Sequence, residues 1–408
     1  MPTFGSFLVS LVAASSLVAA APATSSTDHD GVSVAARRNE HFRPDGPAAL
    51  ARAYRKFGKP LPLDLARAVS RSHRQRTSTG SVVASSPHNY DVEYLAPVQI
   101  GTPAQTLPLN FDTGSSDLWV FSTLTPPSEV NGQKLYDPSK SSSSHLMDGE
   151  SWNIVYGDGS SSGGSVYSDV VSIGGLAVQG QAVEVALQVS QQLTNDSSSS
   201  GLVGLAFSSI NTVTPDQQNT FFANAMPNLN LPLFTADLNH HADGTYNFGF
   251  IDKSHYTGSI TYTPVDNSQG FWGWTSTGYA VGSDRFRKTS ISGIADTGTT
   301  LLLLPDSIVK AYYAKVPGAG YNATAGGYSF NCSASLPTFK FGVEKSAITI
   351  PGSFFNFATL EGSHNCYGGL QSSDGIGINV FGDIALKAAF VVFDGGKTRL
   401  GWASKRVT

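Results

Sequence analysis

The sequence predicts an all-β protein, mainly strands with short helices, that folds as two lobes behind a leader and a basic segment. Many short runs alternate apolar and polar residues between glycine or serine residues, a pattern typical of half-buried strands joined by turns. The chain has 408 residues, with 42 glycines and 21 prolines, and only 14% of its residues are charged. This length is sufficient for two packed cores. The best helical pattern runs over residues 48–70.

We expect residues 1–20 to be a signal peptide. The first charged side chain is Asp28, and an apolar segment from Phe7 to Ala19 ends in small residues. This segment is shorter than the about 20 apolar residues that a membrane-spanning helix requires. We therefore expect cleavage near Ala20 and a secreted, extracellular protein without a membrane anchor. A disordered apolar tail is the alternative, because the positively charged start of a typical signal peptide is missing.

Residues 21–80 form a basic segment in front of an acidic body. They contain 11 Lys or Arg and 5 Asp or Glu, a net charge of +6, whereas residues 81–408 carry a net charge of −10. A basic segment can bind nucleic acid or be a solvated tail. In a secreted chain we expect instead a propeptide that is held electrostatically on the body. Acid would protonate the carboxylates of the body and release it, and no nucleic-acid partner is expected.

The chain contains two cysteines, Cys332 and Cys366. An even count in an exported chain favours a disulfide, which would stabilise the fold by about 3–4 kcal/mol. Two cysteines cannot form a structural zinc site, and the nine histidines show no ligand spacing. We therefore expect neither a metal nor another cofactor.

The tripeptide Asp-Thr-Gly occurs twice, beginning at Asp112 and at Asp296. Each copy follows an apolar run and precedes two hydroxyl residues and further apolar residues, so we expect one copy in each lobe. Two carboxylates in contact cannot both ionise at low cost, so such a pair holds one proton over a wide acidic range. One member can then take a proton from water while the other donates a proton to a carbonyl oxygen. This is the chemistry that hydrolyses a peptide bond.

The residues after each aspartate fit this interpretation. Gly114 and Gly298 would let backbone amides approach the carboxylates, because glycine has no side chain. Ser115 and Thr299 can donate hydroxyl hydrogen bonds to the carboxylate oxygens. An ordinary turn explains either copy alone, but two copies in the same frame favour a paired site.

From about Tyr90 to Trp402 the chain resembles the pepsin family of aspartic endopeptidases, most closely its secreted fungal branch. The resemblance implies two β-rich lobes, 81–260 and 261–408, with the active-site cleft between them and one aspartate from each lobe at its floor. It places Thr113 and Thr297 in a hydrogen-bond lattice between the lobes. It also implies a monomer with polypeptide substrates that is inhibited by pepstatin-type compounds. Loops 201–206 and 379–383 resemble the pair that packs under the two turns.

Residues 152–160 form an alternating strand that runs into a Gly-Asp-Gly turn, which predicts a hairpin. The resemblance identifies this hairpin as the flap that closes over substrate. It implies that the hydroxyl of Tyr156 bonds Trp119 and that Gly157 lies in the turn. It also implies that Asp158 pairs with a lysine before the scissile bond, beside a preference for large apolar residues. A surface hairpin with a solvated aspartate is the alternative.

Residues 53–59 resemble the Lys-aromatic-Gly element of fungal prosegments, in which the lysine reaches the catalytic carboxylates. Lys56 is the candidate for that lysine. Ten other basic residues of the segment could serve instead.

Two other classes of protein can be weighed against this interpretation. Residues 159–163 satisfy the Gly-x-Ser-x-Gly pattern of serine hydrolases, but that nucleophile must lie between a strand and a helix, and here a strand-like run follows. A catalytically inactive pepsin-like protein would act as a binder or an inhibitor. Such proteins typically lose one aspartate or the flap tyrosine, and this chain has both.

Three sites match the N-glycosylation pattern, beginning at Asn195, Asn322 and Asn331. The third contains Cys332, which should be in a disulfide. We therefore expect glycans on Asn195 and Asn322.

Overall fold

The computed structural model of the chain describes residues 31–39, 44–78, 94–155, 161–194 and 196–407. Strands predominate in these ranges, which confirms the predicted all-β class. The strands are β1 Val32–Arg38, β2 Tyr94–Ile100, β3 Gln105–Asp112, β4 Leu118–Val120, β5 His145–Val155, β6 Ser161–Ile173, β7 Leu176–Val189, β8 Gly201–Gly204, β9 Leu233–Asn239, β10 Ala242–Phe248, β11 Thr257–Pro264, β12 Gly273–Val281, β13 Arg287–Ala295, β14 Leu302–Leu304, β15 Gly320–Asn322, β16 Gly327–Asn331, β17 Phe339–Val343, β18 Ser346–Ile350, β19 Asn356–Thr359, β20 Asn365–Gly368, β21 Leu370–Ser372, β22 Asn379–Phe381, β23 Ala389–Asp394 and β24 Arg399–Ser404. The α-helices are α1 Gly46–Lys56, α2 Leu63–Ser78, α3 Gln191–Thr194, α4 Phe221–Ala225, α5 Asp306–Tyr313 and α6 Asp383–Leu386.

The described strands form three sheets. The largest has 13 strands in the order β11-β24-β23-β9-β10-β1-β2-β3-β8-β4-β7-β6-β5. A seven-stranded sheet has the order β18-β17-β12-β13-β22-β14-β21, and a four-stranded sheet has the order β15-β16-β20-β19. The two smaller sheets contain strands from the second half of the chain alone, which fits the bilobal architecture. The predicted boundary between residues 260 and 261 falls inside β11, so the exact division into lobes stays a prediction.

The basic segment contributes a strand to the largest sheet. β1 pairs antiparallel with β10, with Val34 opposite Tyr246, and its last two residues pair with β2. The side chains of Val34 and Ala36 are buried. The segment is therefore attached to the body by a backbone ladder and apolar packing as well as by charge.

The basic segment also forms two helices. α1 begins after Asp45, whose side chain accepts a hydrogen bond from Ala48 N at 3.0 Å, as an N-cap residue does. The helical pattern over 48–70 is interrupted, because Gly58 has a φ of 63° and Pro60 cannot continue a helix. No helix within the described ranges is long and apolar enough to cross a membrane.

Aromatic side chains form the core where β9, from the middle of the chain, pairs with β23, from near its C-terminal end. Phe234 of β9 stacks on Phe393 of β23 with ring centroids 4.6 Å apart, and both rings contact Trp272 edge to face. Phe111, one residue before the first aspartate, lies 4.9 Å from the ring of Tyr246. The turn after β3 therefore starts from a rigid, buried position.

The predicted disulfide is present between Cys332 and Cys366. It joins the residue that follows β16 to β20, the neighbouring strand in the four-stranded sheet. The bond therefore closes a long loop that contains β17, β18 and β19.

Candidate active site

The two Asp-Thr-Gly turns have the same local architecture. Asp112 is the last residue of β3, which runs parallel to β8, and Asp296 follows β13, which runs parallel to β22. Leu205 N donates to Asp112 O at 2.8 Å, and Asp296 N donates to Phe381 O at 3.2 Å. The two loops that the sequence places beside these turns are therefore next to them.

Each carboxylate accepts two hydrogen bonds from its own turn. The glycine N–H of each motif donates to Oδ1, at 2.8 Å for Asp112 and 2.9 Å for Asp296. Ser115 Oγ donates to Asp112 Oδ2 at 2.6 Å, and Thr299 Oγ1 donates to Asp296 Oδ2 at 2.7 Å. The predicted donors are thus in place on both sides, and they fix the plane of each carboxylate.

The glycines are required because the turns face each other at close range. A Cβ on Gly114 would lie 2.5 Å from Asp296 Oδ1, and a Cβ on Gly298 would overlap Asp112 Oδ1. Any larger residue at either position would push the opposite carboxylate away. The two aspartates are buried, with 3% and 0% of their surface exposed.

Reciprocal hydrogen bonds between Thr113 and Thr297 join the two turns. Thr113 Oγ1 donates to Ala295 O at 2.9 Å, and Thr297 Oγ1 donates to Phe111 O at 2.6 Å. Each threonine hydroxyl also accepts the backbone N–H of the other threonine, at 3.0 Å in both directions. Both side chains are buried. The lattice implied by the family resemblance is therefore present, with its geometry nearly symmetric.

Lys56, the last residue of α1, lies between the two carboxylates. Its Nζ is 2.6 Å from Asp112 Oδ1, and it is 2.8 Å and 2.9 Å from the two carboxylate oxygens of Asp296. The structure therefore brings Lys56, the candidate given by the family resemblance, to both carboxylates. Its side chain is 15% exposed.

The charges of this cluster shift the pKa of each member. Burial acts to lower the pKa of Lys56, but the charges of the two aspartates more than offset it, and the pKa is raised. Burial acts to raise the pKa of Asp112, but Lys56, Ser115 and Gly114 together hold it below its usual value. For Asp296, burial together with the charge of Asp112 exceeds the effect of Lys56, and the pKa is raised. The two carboxyls are therefore inequivalent, with Asp112 the more acidic.

A cleft of about 350 Å³ lies beside the aspartates, and α1 covers one side of it. Its apolar wall comes from several parts of the chain: Phe121, Ile154, Leu193, Leu202, Ile210 and Phe271. α1 contributes Ala49, Arg52, Ala53 and Arg55 in addition to Lys56. The basic segment therefore occupies the space beside the two carboxylates.

Trp119 is buried near this cleft and stacks on Trp152, with ring centroids 5.9 Å apart. Its Nε1 has no acceptor among the described residues. The predicted partner of Trp119 is Tyr156, which lies outside the described residues. Three further predicted site residues also lie outside them: Gly157, Asp158 and Asn195.

Asn322 lies at the end of β15 and is partly exposed. Its Nδ2 donates to Ser329 Oγ at 3.3 Å, and its Oδ1 accepts from Thr324 N at 2.9 Å. Arg71 of α2 donates to Thr324 O, so the basic segment contacts this glycosylation pattern. Glycosylation of Asn322 stays a prediction.

Sequence reasoning missed a second group of buried carboxyls behind the first turn. Asp117, Glu184 and Asn211 lie together there. Asp117 belongs to the residues that follow the first Asp-Thr-Gly, but nothing local marks it as buried. Glu184 stands in an alternating strand, where its partner depends on tertiary packing.

We expect Thr297→Val to lower the free energy of unfolding by about 2–4 kcal/mol. Valine keeps the shape of threonine but removes the hydroxyl that donates to Phe111 O and accepts from Thr113 N. Denaturant unfolding followed by tryptophan fluorescence measures the change. Thr297→Ser keeps the hydroxyl and should lose much less, and equal losses for the two variants would contradict a role for the hydroxyl.

Comparison with known proteins agrees with this geometry. The family model described as eukaryotic aspartyl protease matches residues 93–405. Endothiapepsin from Cryphonectria parasitica is 59% identical over 372 residues, which cover 90% of this chain and 89% of the relative. Podosporapepsin from Podospora anserina is 52% identical over 379 residues, 90% of this chain and 89% of the relative. Penicillopepsin-3 from Penicillium janthinellum is 49% identical over 405 residues, 99% of this chain and 100% of the relative. The resemblance inferred from the motifs is thereby confirmed: the chain belongs to the eukaryotic aspartyl protease family and is a pepsin-like aspartic endopeptidase.

Proposed function

We propose that this chain is the secreted zymogen of an acid endopeptidase in which Asp112 and Asp296 activate one water molecule. The observation that carries the proposal is the cluster of Lys56 Nζ with both carboxylates at 2.6 and 2.8 Å. A single cation bridges the two carboxylates, so they are close enough for the charge of one to affect the protonation of the other. The presence of both aspartates disfavours an inactive binder or inhibitor.

The proposed reaction needs one ionised and one protonated aspartate. Aspartic proteases are the established example of two carboxyl groups that share one proton, and the same reasoning applies to this family member. The ionised carboxylate takes a proton from water as the water oxygen bonds to the peptide carbon, and the other carboxyl donates its proton to the carbonyl oxygen. The carbon–nitrogen bond then breaks as the leaving nitrogen takes a proton from the pair, and a hydroxyl of the tetrahedral intermediate returns a proton to it. The pair again holds one proton, and the products are an amine and a carboxylic acid.

The proposal of a zymogen rests on the position of α1 in the cleft. Lys56 takes the place beside both carboxylates where water would bind, and other side chains of α1 line the cleft around it. Asp296, with its raised pKa, is protonated first as the pH falls. Asp112 has a lowered pKa, so its ion pair stabilises the closed form above that pKa and is lost as the pH falls through it. Acid therefore weakens the contact in two steps.

Secretion, maturation and the monomeric state are proposed from the sequence. Residues 1–20 would be removed as a signal peptide and residues 21–80 as the propeptide, leaving a monomer. The disulfide between Cys332 and Cys366 supports an oxidising destination. Glycans on Asn195 and Asn322 would be added on the same route.

The proposed specificity is broad, with a preference for large hydrophobic residues. The apolar cleft wall, which includes Phe121 and Leu202, supports that preference. Asp158 would add acceptance of lysine before the scissile bond by pairing with its ammonium group. No cofactor is needed for this chemistry, and pepstatin-type compounds should inhibit it.

Asp112→Asn and Asp296→Asn are each expected to lower peptidase activity by about 1,000-fold or more, because neither leaves a pair that can hold both roles. Haemoglobin hydrolysis at about pH 3–4, with and without pepstatin, measures this. Asp148→Asn changes an exposed aspartate and serves as the control. Processed wild-type protein without pepstatin-sensitive hydrolysis would overturn the proposed function.

Lys56→Gln should raise the pH at which the zymogen begins to process itself by about one unit. Glutamine keeps most of the side-chain length but cannot form the ion pairs, so the closed form loses its advantage near neutral pH. Electrophoresis after incubation over a pH series gives the threshold. Lys59→Gln removes the same charge from an exposed position, and an equal shift in that variant would rule out a specific role for Lys56.

Asp158→Ser should lower cleavage after lysine by about tenfold or more while leaving cleavage after phenylalanine or leucine unchanged. The expected loss follows from leaving a substrate ammonium group in the cleft without its anion. Paired peptide substrates that differ at that one residue give kcat/KM for each. Asp158→Glu retains the charge and should retain both activities; if Asp158→Ser lowers both equally, the assignment is wrong.

A further inference from the structure

A second pair of carboxyl groups is buried behind the turn that carries Asp112. Asp117 lies five residues further along that turn, and Glu184 lies on β7, opposite Trp119 of β4. Both side chains bond the same side-chain nitrogen, Asn211 Nδ2, and their residues are 3% and 1% exposed. Two buried carboxylates this close to each other would repel, and they can form a hydrogen bond only if one of them carries a proton, because ionised carboxylates have no donor.

The hydrogen bonds from neighbouring donors leave one carboxylate oxygen of the pair free to carry that proton. Asn211 Nδ2 donates to Asp117 Oδ1 and to Glu184 Oε1, both at 2.9 Å, and Thr212 N donates to Asp117 Oδ1 at 2.7 Å. Glu184 Oε2 is buried and has no donor among the described residues. A buried carboxylate oxygen without a donor is costly. A proton shared with Asp117 removes that cost.

Among the described residues, no ion pair joins Asp117 or Glu184 to a cation of the body. Among the described residues that line the cleft beside Asp117, the charged side chains outside α1 are acidic, namely Asp112, Asp117 and Asp196. The cations are Arg52, Arg55 and Lys56, all on α1. On β6, Val166 stands opposite Glu184 and cannot titrate. Burial, and then the charge of Asp117, raises the pKa of Glu184 well above its usual value. Burial likewise raises the pKa of Asp117.

The pair is connected to the catalytic turn through Asn211. The same Nδ2 that bonds both carboxyls also donates to Ser116 O at 3.2 Å. Ser116 Oγ donates to Phe207 O at 2.7 Å, and Gly204 N donates to Asp117 O at 2.9 Å. The end of the turn is thus fixed by an amide whose position depends on two carboxyl groups remaining in contact.

We propose that Asp117 and Glu184 share one proton in the folded protein and that this proton positions the turn that carries Asp112. The positioning role rests on the proposed function, whereas the shared proton does not. When the proton is lost, two negative charges are in contact in a buried place, and the pair must separate. Asn211 then cannot bond both carboxyls and Ser116 O at once, and the turn loses its anchor.

The proposal fixes the sign of a pH effect. A carboxyl whose pKa is raised by folding binds a proton more tightly in the folded state than in the unfolded state. Its contribution to stability is complete below the unfolded pKa and is lost as the pH rises through the folded pKa. The pair therefore favours the folded state in acid and weakens it towards neutral pH, the opposite of the ion pair between Lys56 and Asp112.

Carboxamide variants test the shared proton. In Glu184→Gln, Oε1 can still accept from Asn211, and Nε2 can donate permanently to Asp117. In Asp117→Asn, Oδ1 can still accept from Thr212 N, and Nδ2 can donate to Glu184. In the double variant two NH2 groups face each other, with no acceptor between them. Each single variant should therefore be tolerated, whereas the double variant should be destabilised at every pH.

The measurement is denaturant unfolding of the full-length chain, followed by tryptophan fluorescence between about pH 4 and pH 8. We expect Glu184→Gln to move the pH of half-maximal stability loss upward by about one unit. Glu361→Gln removes the same charge from an exposed turn and should match the wild type. The proposal is overturned if Glu184→Gln has the pH dependence of the wild type, or if the double variant is as stable as either single variant.

Infrared spectra and the peptidase assay separate the two parts of the proposal. The wild type at near-neutral pH should show the carbonyl band of a buried carboxylic acid that Glu184→Gln lacks; no difference between the two spectra contradicts the shared proton. In the peptidase assay of Glu184→Gln, the highest pH at which the enzyme is active should rise together with the pH of half-maximal stability loss. Unchanged activity limits with altered unfolding would contradict the positioning role. Absence of any peptidase activity would count against the proposed function and would leave the unfolding and infrared results valid.

Discussion

The reciprocal bonds between Thr113 and Thr297 are the constraint on which the rest of the site depends. They bring together two turns from different sheets and place two acidic side chains in contact, which electrostatics alone would oppose. Each hydroxyl donates to the other chain segment and accepts from it, so neither turn can shift without breaking bonds on both sides. The glycines at 114 and 298 are a consequence, because only a residue without a Cβ fits beneath the opposite carboxylate.

Burial of carboxyl groups recurs around this constraint, and the protein balances it in two ways. The pair at the cleft is balanced by a cation, since Lys56 contacts both members at hydrogen-bonding distance. For the pair behind the turn, the described residues of the body supply no such cation, and we infer a proton there instead. A cation on a removable segment can be exchanged for water and substrate, whereas a proton is retained as long as the medium is acidic. In the proposed function, both carboxyl pairs are therefore balanced under the same acidic conditions.

Much of the site could be predicted because its catalytic residues lie in short sequence motifs. Asp112, Asp296 and the hydroxyl donors beside them stand at fixed positions in two similar stretches, and a local frame is enough to find them. Lys56 could be proposed only through family resemblance, since its contact joins residues 240 positions apart. β1 gave no clear signal, because it is a short strand whose partners in β10 follow about 200 residues later. Glu184 was missed for the same reason: its burial follows from packing against another part of the chain.

The position of β1 changes how release of the basic segment must be understood. Charge accounts for the release of α1, because the ion pairs of Lys56 weaken as the aspartates are protonated. It does not account for β1, which pairs with β10 through backbone bonds and buries Val34 and Ala36. Neither backbone ladders nor apolar contacts titrate in acid. Removing β1 would also leave unpaired edges on β2 and β10, and unpaired backbone groups in the middle of a sheet are costly. In the proposed zymogen, acid can therefore free the cleft before the segment leaves the body, so that opening of the site and loss of the segment would be separate events.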